Sequence, residues 1–152
     1  MGIKETRHGI YKPQNIKKYV GTSLPVFRSS WELKAFMALD KNDKILKWGS
    51  ENIVIQYIDE TRNNESHRYV IDLFFELAGT KDGRPIKWLI EIKPSNQSVM
   101  PTITKRKSTQ KIIEESIIVK RNQCKWKAAV DFCRSKGWHF GVYTENGINK
   151  LC

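Results

Sequence analysis

The sequence has few of the features that mark secreted, disulfide-rich or membrane-spanning proteins. It contains 3 cysteines in 152 residues, and Cys124, Cys133 and Cys152 include no CxxC pair. We therefore expect free thiols in a reducing compartment rather than disulfides or a zinc site. No apolar run approaches the roughly 18 to 20 residues of a membrane helix, and the N-terminus lacks an apolar signal-peptide core. These absences predict a soluble, intracellular protein.

Acidic residues are also in the minority. The chain has 16 Asp and Glu against 27 Lys and Arg, which gives a formal net charge of +11 and a pI near 9.7. Such an excess favours a polyanionic partner, either nucleic acid or an anionic membrane surface. With 39% hydrophobic and 11% aromatic residues, the chain is long enough for one folded domain with a genuine core.

The domain begins after a basic N-terminal arm. Residues 1–28 are polar and basic, and glycine and proline interrupt them repeatedly, so we expect an arm lying over the domain of residues 29–152. Ser29 followed by Glu32 matches a capping box, which predicts a helix that runs from there to about Asp40.

Apolar runs separated by turn residues predict four strands and the connection between two of them. The strands are expected at residues 53–58, 68–77, 86–93 and 138–144, with a turn at 78–85. Apolar spacing of three and four residues predicts helices at 109–119 and 123–135, with Trp126 in the core and Gly137 after the second helix. The predicted fold is therefore α/β, a small mixed sheet with an antiparallel hairpin flanked by helices.

Two of these strands contain carboxylates within apolar runs, Asp72 in Val70-Ile71-Asp72-Leu73 and Glu91 in Glu91-Ile92-Lys93. Because side chains alternate along a strand, we expect Asp72 to share a face with Val70 and Phe74, and Glu91 to share one with Lys93. If the two strands form a hairpin, Asp72 lies opposite Glu91, within a register slip of one or two residues.

Like charges that face each other destabilise a sheet, so this pair favours a counter-charge. Carboxylate oxygens suit the hard cations Mg²⁺ and Mn²⁺. Lys93 would point into the same space and could orient or deprotonate a water, or stabilise charge on a phosphate. Glu32 could add a third carboxylate. Strand-borne acids beside a lysine, in so basic a chain, indicate metal-assisted cleavage of nucleic acid.

Each candidate also has a simpler explanation. Glu32 could serve only as the acidic member of the helix cap. Asp72 could form a structural ion pair with Lys93 or Arg68, since a buried acid needs a partner. Glu91 and Lys93 could form the solvated face of an edge strand.

Basic residues near the candidate site could follow a DNA backbone, although charge runs are usually solvated faces. The candidate DNA-binding residues are Arg68, Lys105, Arg106, Lys107, Lys111, Lys120 and Arg121.

The order of these motifs resembles that of the PD-(D/E)xK nuclease superfamily, with a helical Glu32, then Asp72, a turn, and Glu91-Ile92-Lys93. Ile71 departs from the pattern, because a proline often stands there. More closely, the chain is similar to the head-completion nucleases of T-even-type phages and to the endonuclease subunit of Tn7-like transposases. The motifs that carry this closer likeness are Arg28-Ser29-Ser30-Trp31-Glu32, His67-Arg68-Tyr69, Glu91-Ile92-Lys93-Pro94 and Asn122-Gln123-Cys124-Lys125-Trp126.

The resemblance implies a restriction-endonuclease-like core and Mg²⁺-dependent DNA cleavage of low sequence specificity, with Mn²⁺ as a substitute. Endonuclease activity is expected, and exonuclease activity stays open. Glu32, Asp72, Glu91 and Lys93 would be catalytic, the Ile92 carbonyl would be a further metal ligand, and Gln123 would be a polar helper.

The resemblance also implies a role in phage head completion and head–tail joining after DNA packaging. DNA and portal or neck proteins would be partners, no membrane would be involved, and the host cytoplasm would be the location. The alternative is a non-catalytic DNA-binding or neck-assembly protein that keeps the fold.

Overall fold

A computed structural model describes residues 8–79, 82–94 and 107–152. These ranges contain two α-helices, a five-stranded sheet and a two-stranded sheet, so the α/β prediction is confirmed. The elements, in chain order, are β1 (Gly9–Ile10), β2 (Val26–Phe27), α1 (Ser30–Lys41), β3 (Ile45–Asp59), β4 (Glu65–Leu77), β5 (Ile86–Ile92), α2 (Thr109–Lys136), β6 (His139–Thr144) and β7 (Gly147–Lys150). Neither helix is long and apolar enough to cross a bilayer.

The larger sheet is mixed, in the order β3-β4-β5-β6-β7. Neighbouring strands are antiparallel except β5 and β6, which are parallel. Parallel strands need a long crossover, and the 28-residue helix α2 lies within it. This is the restriction-endonuclease-like arrangement expected from the sequence.

The sheet separates two apolar clusters, each covered by one helix. On one side Phe36 of α1 packs with Trp48, Leu73 and Ile90. On the other side Trp126 of α2 packs with the remaining core residues, which are Ile55, Tyr57, Tyr69, Ile71, Phe74, Leu89, Ala129, Cys133, Phe140 and Val142. The prediction that Trp126 belongs to the core is confirmed.

A bulge in β3 changes which residues of β4 share a face. Ser50 pairs with Leu73 and Ile53 pairs with Ile71, so two residues of β3 stand opposite Asp72 alone. Ile71 and Phe74 consequently belong to the α2 cluster, whereas Leu73 belongs to the α1 cluster. The predicted common face of Val70, Asp72 and Phe74 is therefore wrong, because a bulge breaks the alternation of side chains.

The predicted register of the β4–β5 hairpin is confirmed. Leu73 pairs with Ile90 and Phe75 pairs with Trp88, and the same register continued by one residue puts Asp72 opposite Glu91. The two candidate acids thus meet where the β4–β5 ladder ends.

Three elements differ from the sequence prediction. β3 is 15 residues long rather than confined to 53–58, because its first half contains the polar bulge. The predicted helices 109–119 and 123–135 form the single helix α2, since no glycine or proline lies within it; Ser108 caps its start and Gly137, at φ 72°, ends it. β7 was not predicted, because its four residues are mostly polar and exposed.

The described part of the N-terminal arm lies over the C-terminal end of α1. The carboxylate of Asp40, which is fully buried, accepts hydrogen bonds from the Tyr11 hydroxyl at 2.6 Å and from the backbone N–H groups of Gln14 and Asn15 at 2.7 and 3.0 Å. Burial alone would raise the pKa of Asp40, but these hydrogen bonds outweigh it and lower the pKa. The arm is thereby fixed to the domain through one side chain.

Candidate active site

Glu91 is held between a tyrosine and a lysine. Glu91 lies near the end of β5 and is only 4% exposed. The Tyr69 hydroxyl donates a hydrogen bond to Glu91 Oε2 at 2.7 Å, and Lys93 Nζ lies 3.6 Å from Oε1. A buried carboxylate is stable only when such partners compensate for lost hydration, and Tyr69 and Lys93 supply that compensation for Glu91.

Asp72 is fixed by the backbone of the opposite strand. Its Oδ2 accepts a hydrogen bond from the Ile92 N–H at 2.8 Å. Burial and, next, the negative charge of Glu91 raise the pKa of Asp72 to about 8, against the opposing effects of the Ile92 N–H and Lys93. A carboxylate pair that resists carrying two negative charges could serve as donors to a divalent cation.

The bulge explains how Asp72 reaches this position. Bulges re-aim side chains and interrupt ladder pairing next to active sites. Here the bulge contains Glu51, whose φ is 54°, and it lies opposite Asp72 on the other side from β5. The strand can therefore direct Asp72 towards the Ile92 amide while Ile71 and Phe74 stay buried.

Lys93 follows β5 and is anchored by its backbone. Its N–H donates to the Tyr143 carbonyl of β6 at 3.0 Å, while its side chain is 26% exposed. The ammonium group therefore contacts Glu91 and still reaches solvent, where a substrate would approach.

Glu32 lies in the first turn of α1 and acts in its cap. Its N–H donates to Ser29 Oγ at 3.2 Å, and its Oε2 accepts from the Arg28 N–H at 2.6 Å. The capping prediction is confirmed, with Arg28 rather than Ser29 as the reciprocal donor. The Arg28 guanidinium pairs with Glu51, which is the main cause of its raised pKa, and the charges of Glu32 and Asp72 add to it. The Arg28 guanidinium is therefore within electrostatic range of both Glu32 and Asp72.

The structure brings Asp72, Glu91 and Lys93 together but does not add Glu32 to the same cluster. Within residues 8–79, 82–94 and 107–152, no three His, Cys, Asp or Glu side chains are grouped closely enough to hold a metal. The two strand acids and the lysine form the centre of the site.

The candidate DNA-binding residues are mostly engaged by acids where the structure describes them. Lys107, Lys120 and Arg121 form ion pairs with Glu115, Glu60 and Asp59 at 2.9, 2.7 and 2.9 Å. Arg68, Lys111 and Gln123 are exposed. Lys105 and Arg106 lie outside the described residues. The DNA-binding assignment stays a prediction.

Sequence reasoning did not assign a site role to Tyr69, and it treated Lys125 only as one member of the basic run that could follow a DNA backbone. Tyr69 reaches Glu91 because the bulge reverses the faces of β4, and its strand pattern alone placed it away from Asp72. Lys125 Nζ lies 5.5 Å from the Tyr69 ring centroid and 5.8 Å from that of Tyr57. The signals in the sequence were the motifs His67-Arg68-Tyr69 and Asn122-Gln123-Cys124-Lys125-Trp126 and, for Lys125, the basic run around it.

A mixed sheet between two helices, with one acid at a bulge and an acid and a lysine at the end of the adjacent strand, defines the PD-(D/E)xK class of nuclease folds. Comparison with known proteins gives the family within that class. The family model described as "TnsA-like endonuclease N terminal" matches residues 42–145, and the chain belongs to this family. The chain is also 34% identical, over 151 residues and 94% of each sequence, to the "Head completion nuclease" of Enterobacteria phage T4.

Proposed function

We propose that the protein is a Mg²⁺-dependent DNA endonuclease of low sequence specificity. The observation that supports this most directly is the meeting of Asp72 and Glu91, with a pKa of Asp72 raised by burial and by its neighbour. Carboxylate oxygens in this setting fit Mg²⁺, with Mn²⁺ as a substitute. The Ile92 carbonyl would be a further ligand. When bound, the cation would supply an acidified water and neutralise phosphate charge.

The protein's own side chains would position the reactants. Lys93 would orient the attacking water, or stabilise the negative charge that develops on the phosphate. Tyr69 would hold Glu91 in one orientation through its hydroxyl. Glu32 would assist from the first turn of α1.

The biological role we propose is completion of the phage head and head–tail joining after DNA packaging. The likeness to the T4 head completion nuclease over 94% of both chains supports it. Packaged DNA would be the substrate, portal or neck proteins would be partners, and the host cytoplasm would be the location.

A plasmid-nicking assay with Mg²⁺ tests the activity. The intact protein is compared with Asp72→Ala and Lys93→Ala, and with Asp82→Ala and Lys44→Ala as matched controls, since both control residues are exposed. We expect nicking by the intact protein and both controls, and a loss of at least a hundredfold in the two site variants. Equal nicking by all five, or by none, would defeat the proposal.

The rival function, assembly without cleavage, has a separate test. Phage heads assembled with Asp72→Ala protein in place of the intact protein should remain incomplete if cleavage is required. Infectious particles formed at the normal yield would show that assembly does not need the reaction.

A further inference from the structure

A chain of polar contacts leads away from Glu91 across the sheet. Tyr69 donates to Glu91, and the Tyr57 hydroxyl lies 3.4 Å from Asp59 Oδ2. The rings of Tyr57 and Tyr69 meet edge to face, with centroids 6.3 Å apart. Two tyrosines on β3 and β4 therefore connect the candidate site to Asp59 at the far end of the β3–β4 hairpin.

Lys125 lies over both tyrosine rings and differs from its neighbours on α2. Lys120 and Arg121 each contact a carboxylate. Within the described ranges, no ion pair within 4.0 Å and no hydrogen bond involves the ammonium of Lys125. Among the described residues, its Nζ contacts the ring faces of Tyr57 and Tyr69, which attract a cation through their negative π faces.

This half-buried cation is in an electrostatically unfavourable position. Burial lowers the pKa of Lys125, and the positive charges of Lys93, Arg121 and Arg62 lower it further, while Glu91 opposes them. Glu91 already has Lys93 as a partner. An ammonium group that is partly desolvated and has no ion pair among the described residues is suited to an external anion.

We propose that Lys125, resting on the Tyr57 and Tyr69 rings, is the binding site for a DNA phosphate next to the one that is cleaved. The inference rests on the proposed nuclease function and identifies one contact of its substrate. Tyr69 touches both Glu91 and Lys125, so a phosphate held at Lys125 lies beside the carboxylate pair. Arg121, one turn earlier on α2, is fixed by Asp59 at 2.9 Å and anchors this part of the helix against the hairpin.

DNA binding by the full chain tests this assignment without cleavage. Fluorescence anisotropy of a labelled duplex is measured in EDTA at several salt concentrations for the intact protein, Lys125→Met and Lys125→Arg. Lys127→Met is the matched control, because Lys127 is exposed two residues further along the same helix. One lost phosphate contact weakens binding roughly tenfold near 0.1 M salt and reduces the salt slope by about one. We expect this for Lys125→Met only, with Lys125→Arg near the intact protein.

Several results would overturn the assignment. An unchanged salt slope for Lys125→Met would do so, and so would an equal change for Lys127→Met, which would indicate a diffuse charge effect. A slower nicking rate with unchanged binding would assign Lys125 to neutralising Glu91 instead. Thermal unfolding checks that each variant is folded, and Lys125→Gln replaces Lys125→Met in the same comparison if it is not. Failure of the intact protein to nick would count against the proposed function, independently of the binding result.

Discussion

The backbone N–H of Ile92 donates a hydrogen bond to Asp72 Oδ2 at 2.8 Å. The Ile92 N–H of β5 thus fixes the Asp72 carboxylate of β4. Ile92 is also the residue between Glu91 and Lys93. The acid–x–lysine segment and Asp72 are consequently positioned as one unit at the end of the hairpin. A site built on strands holds its geometry better than a site built on loops.

The acid pair predicts a conflict between stability and function at Asp72. Because the pKa of Asp72 is raised to about 8, folding near pH 7 without metal must either bind a proton at Asp72 or bury its charge beside Glu91. Asp72→Asn removes both costs, so the midpoint of thermal unfolding should rise. Mg²⁺ should raise the midpoint of the intact protein, because a ligand of the native state stabilises it, and should leave the variant unchanged. Differential scanning fluorimetry with EDTA or Mg²⁺ measures both effects.

Asp82→Asn is the control for that experiment, since Asp82 lies in the exposed turn before β5. It should leave both midpoints as they are. A lower midpoint for metal-free Asp72→Asn would contradict the view that the two carboxylates repel each other in the native state.

Tyr69→Phe tests whether the hydroxyl on Glu91 supports the reaction. The variant keeps the ring beneath Lys125 but loses the 2.7 Å hydrogen bond, and a hydrogen bond to a charged group contributes about 1.5 to 3 kcal/mol. We expect the nicking rate to fall at least tenfold while the protein stays folded. Tyr57→Phe, which loses a hydroxyl near Asp59 instead, should retain the rate, and equal losses in the two variants would refute a specific role for Tyr69.

The centre of the site was predictable because two local rules suffice for it. A turn between two apolar runs predicted the hairpin register that puts Asp72 opposite Glu91, although the alternation predicted along β4 failed at Asp72. The acid–x–lysine spacing then placed Lys93 beside Glu91. Both rules depend only on residues close in sequence or joined by one turn.

The remainder required tertiary information. In the sequence, the segment around Glu51 resembles a polar loop between two short apolar runs. In the structure it is a bulge of β3, and the alternation of side chains along β4 changes at Asp72, opposite this bulge. Tyr69 therefore lies on the same face as Glu91. The polar stretch around Arg121 suggested a break between two helices, yet contacts with Asp59 on the β3–β4 hairpin keep it helical. Lys125 meets Tyr57 and Tyr69 only because α2 crosses that hairpin.

The cap and the proposed catalytic role of Glu32 are separable by mutation. Glu32→Gln keeps an oxygen that accepts the Arg28 N–H but removes the charge, so it should fold normally and lose at least tenfold in nicking rate. Ser29→Ala removes the cap acceptor for the Glu32 N–H, and should lower the free energy of unfolding by about 1 kcal/mol while nicking continues. Urea denaturation and plasmid nicking on both variants give the comparison, and full activity of Glu32→Gln would restrict Glu32 to the cap.

Asp59 joins the β3–β4 hairpin to α2 and predicts a loss of stability in acid. It is fully buried, and it accepts hydrogen bonds from Arg62 Nε at 2.7 Å and Arg121 Nε at 2.9 Å. Burial alone would raise its pKa, but the hydrogen bonds from Thr61 and Arg62 and the charge of Arg121 outweigh it and lower the pKa. A carboxylate with a lowered folded-state pKa stabilises the protein above its unfolded pKa of about 4. That stability is lost as the pH falls further.

Asp59→Asn should therefore lower the free energy of unfolding by roughly 3 kcal/mol at pH 7, as expected when one partner of a buried ion pair is removed. Its deficit relative to the intact protein should shrink below about pH 4, because the unfolded intact chain then binds a proton at Asp59 that the folded protein excludes, and the advantage of the ionised carboxylate decreases. Urea denaturation at pH 7 and pH 3 measures the two differences. Asp43→Asn, at an exposed aspartate, is the control and should show little change at either pH. A deficit for Asp59→Asn that stays constant from pH 7 to pH 3 would contradict the role of the ionised carboxylate.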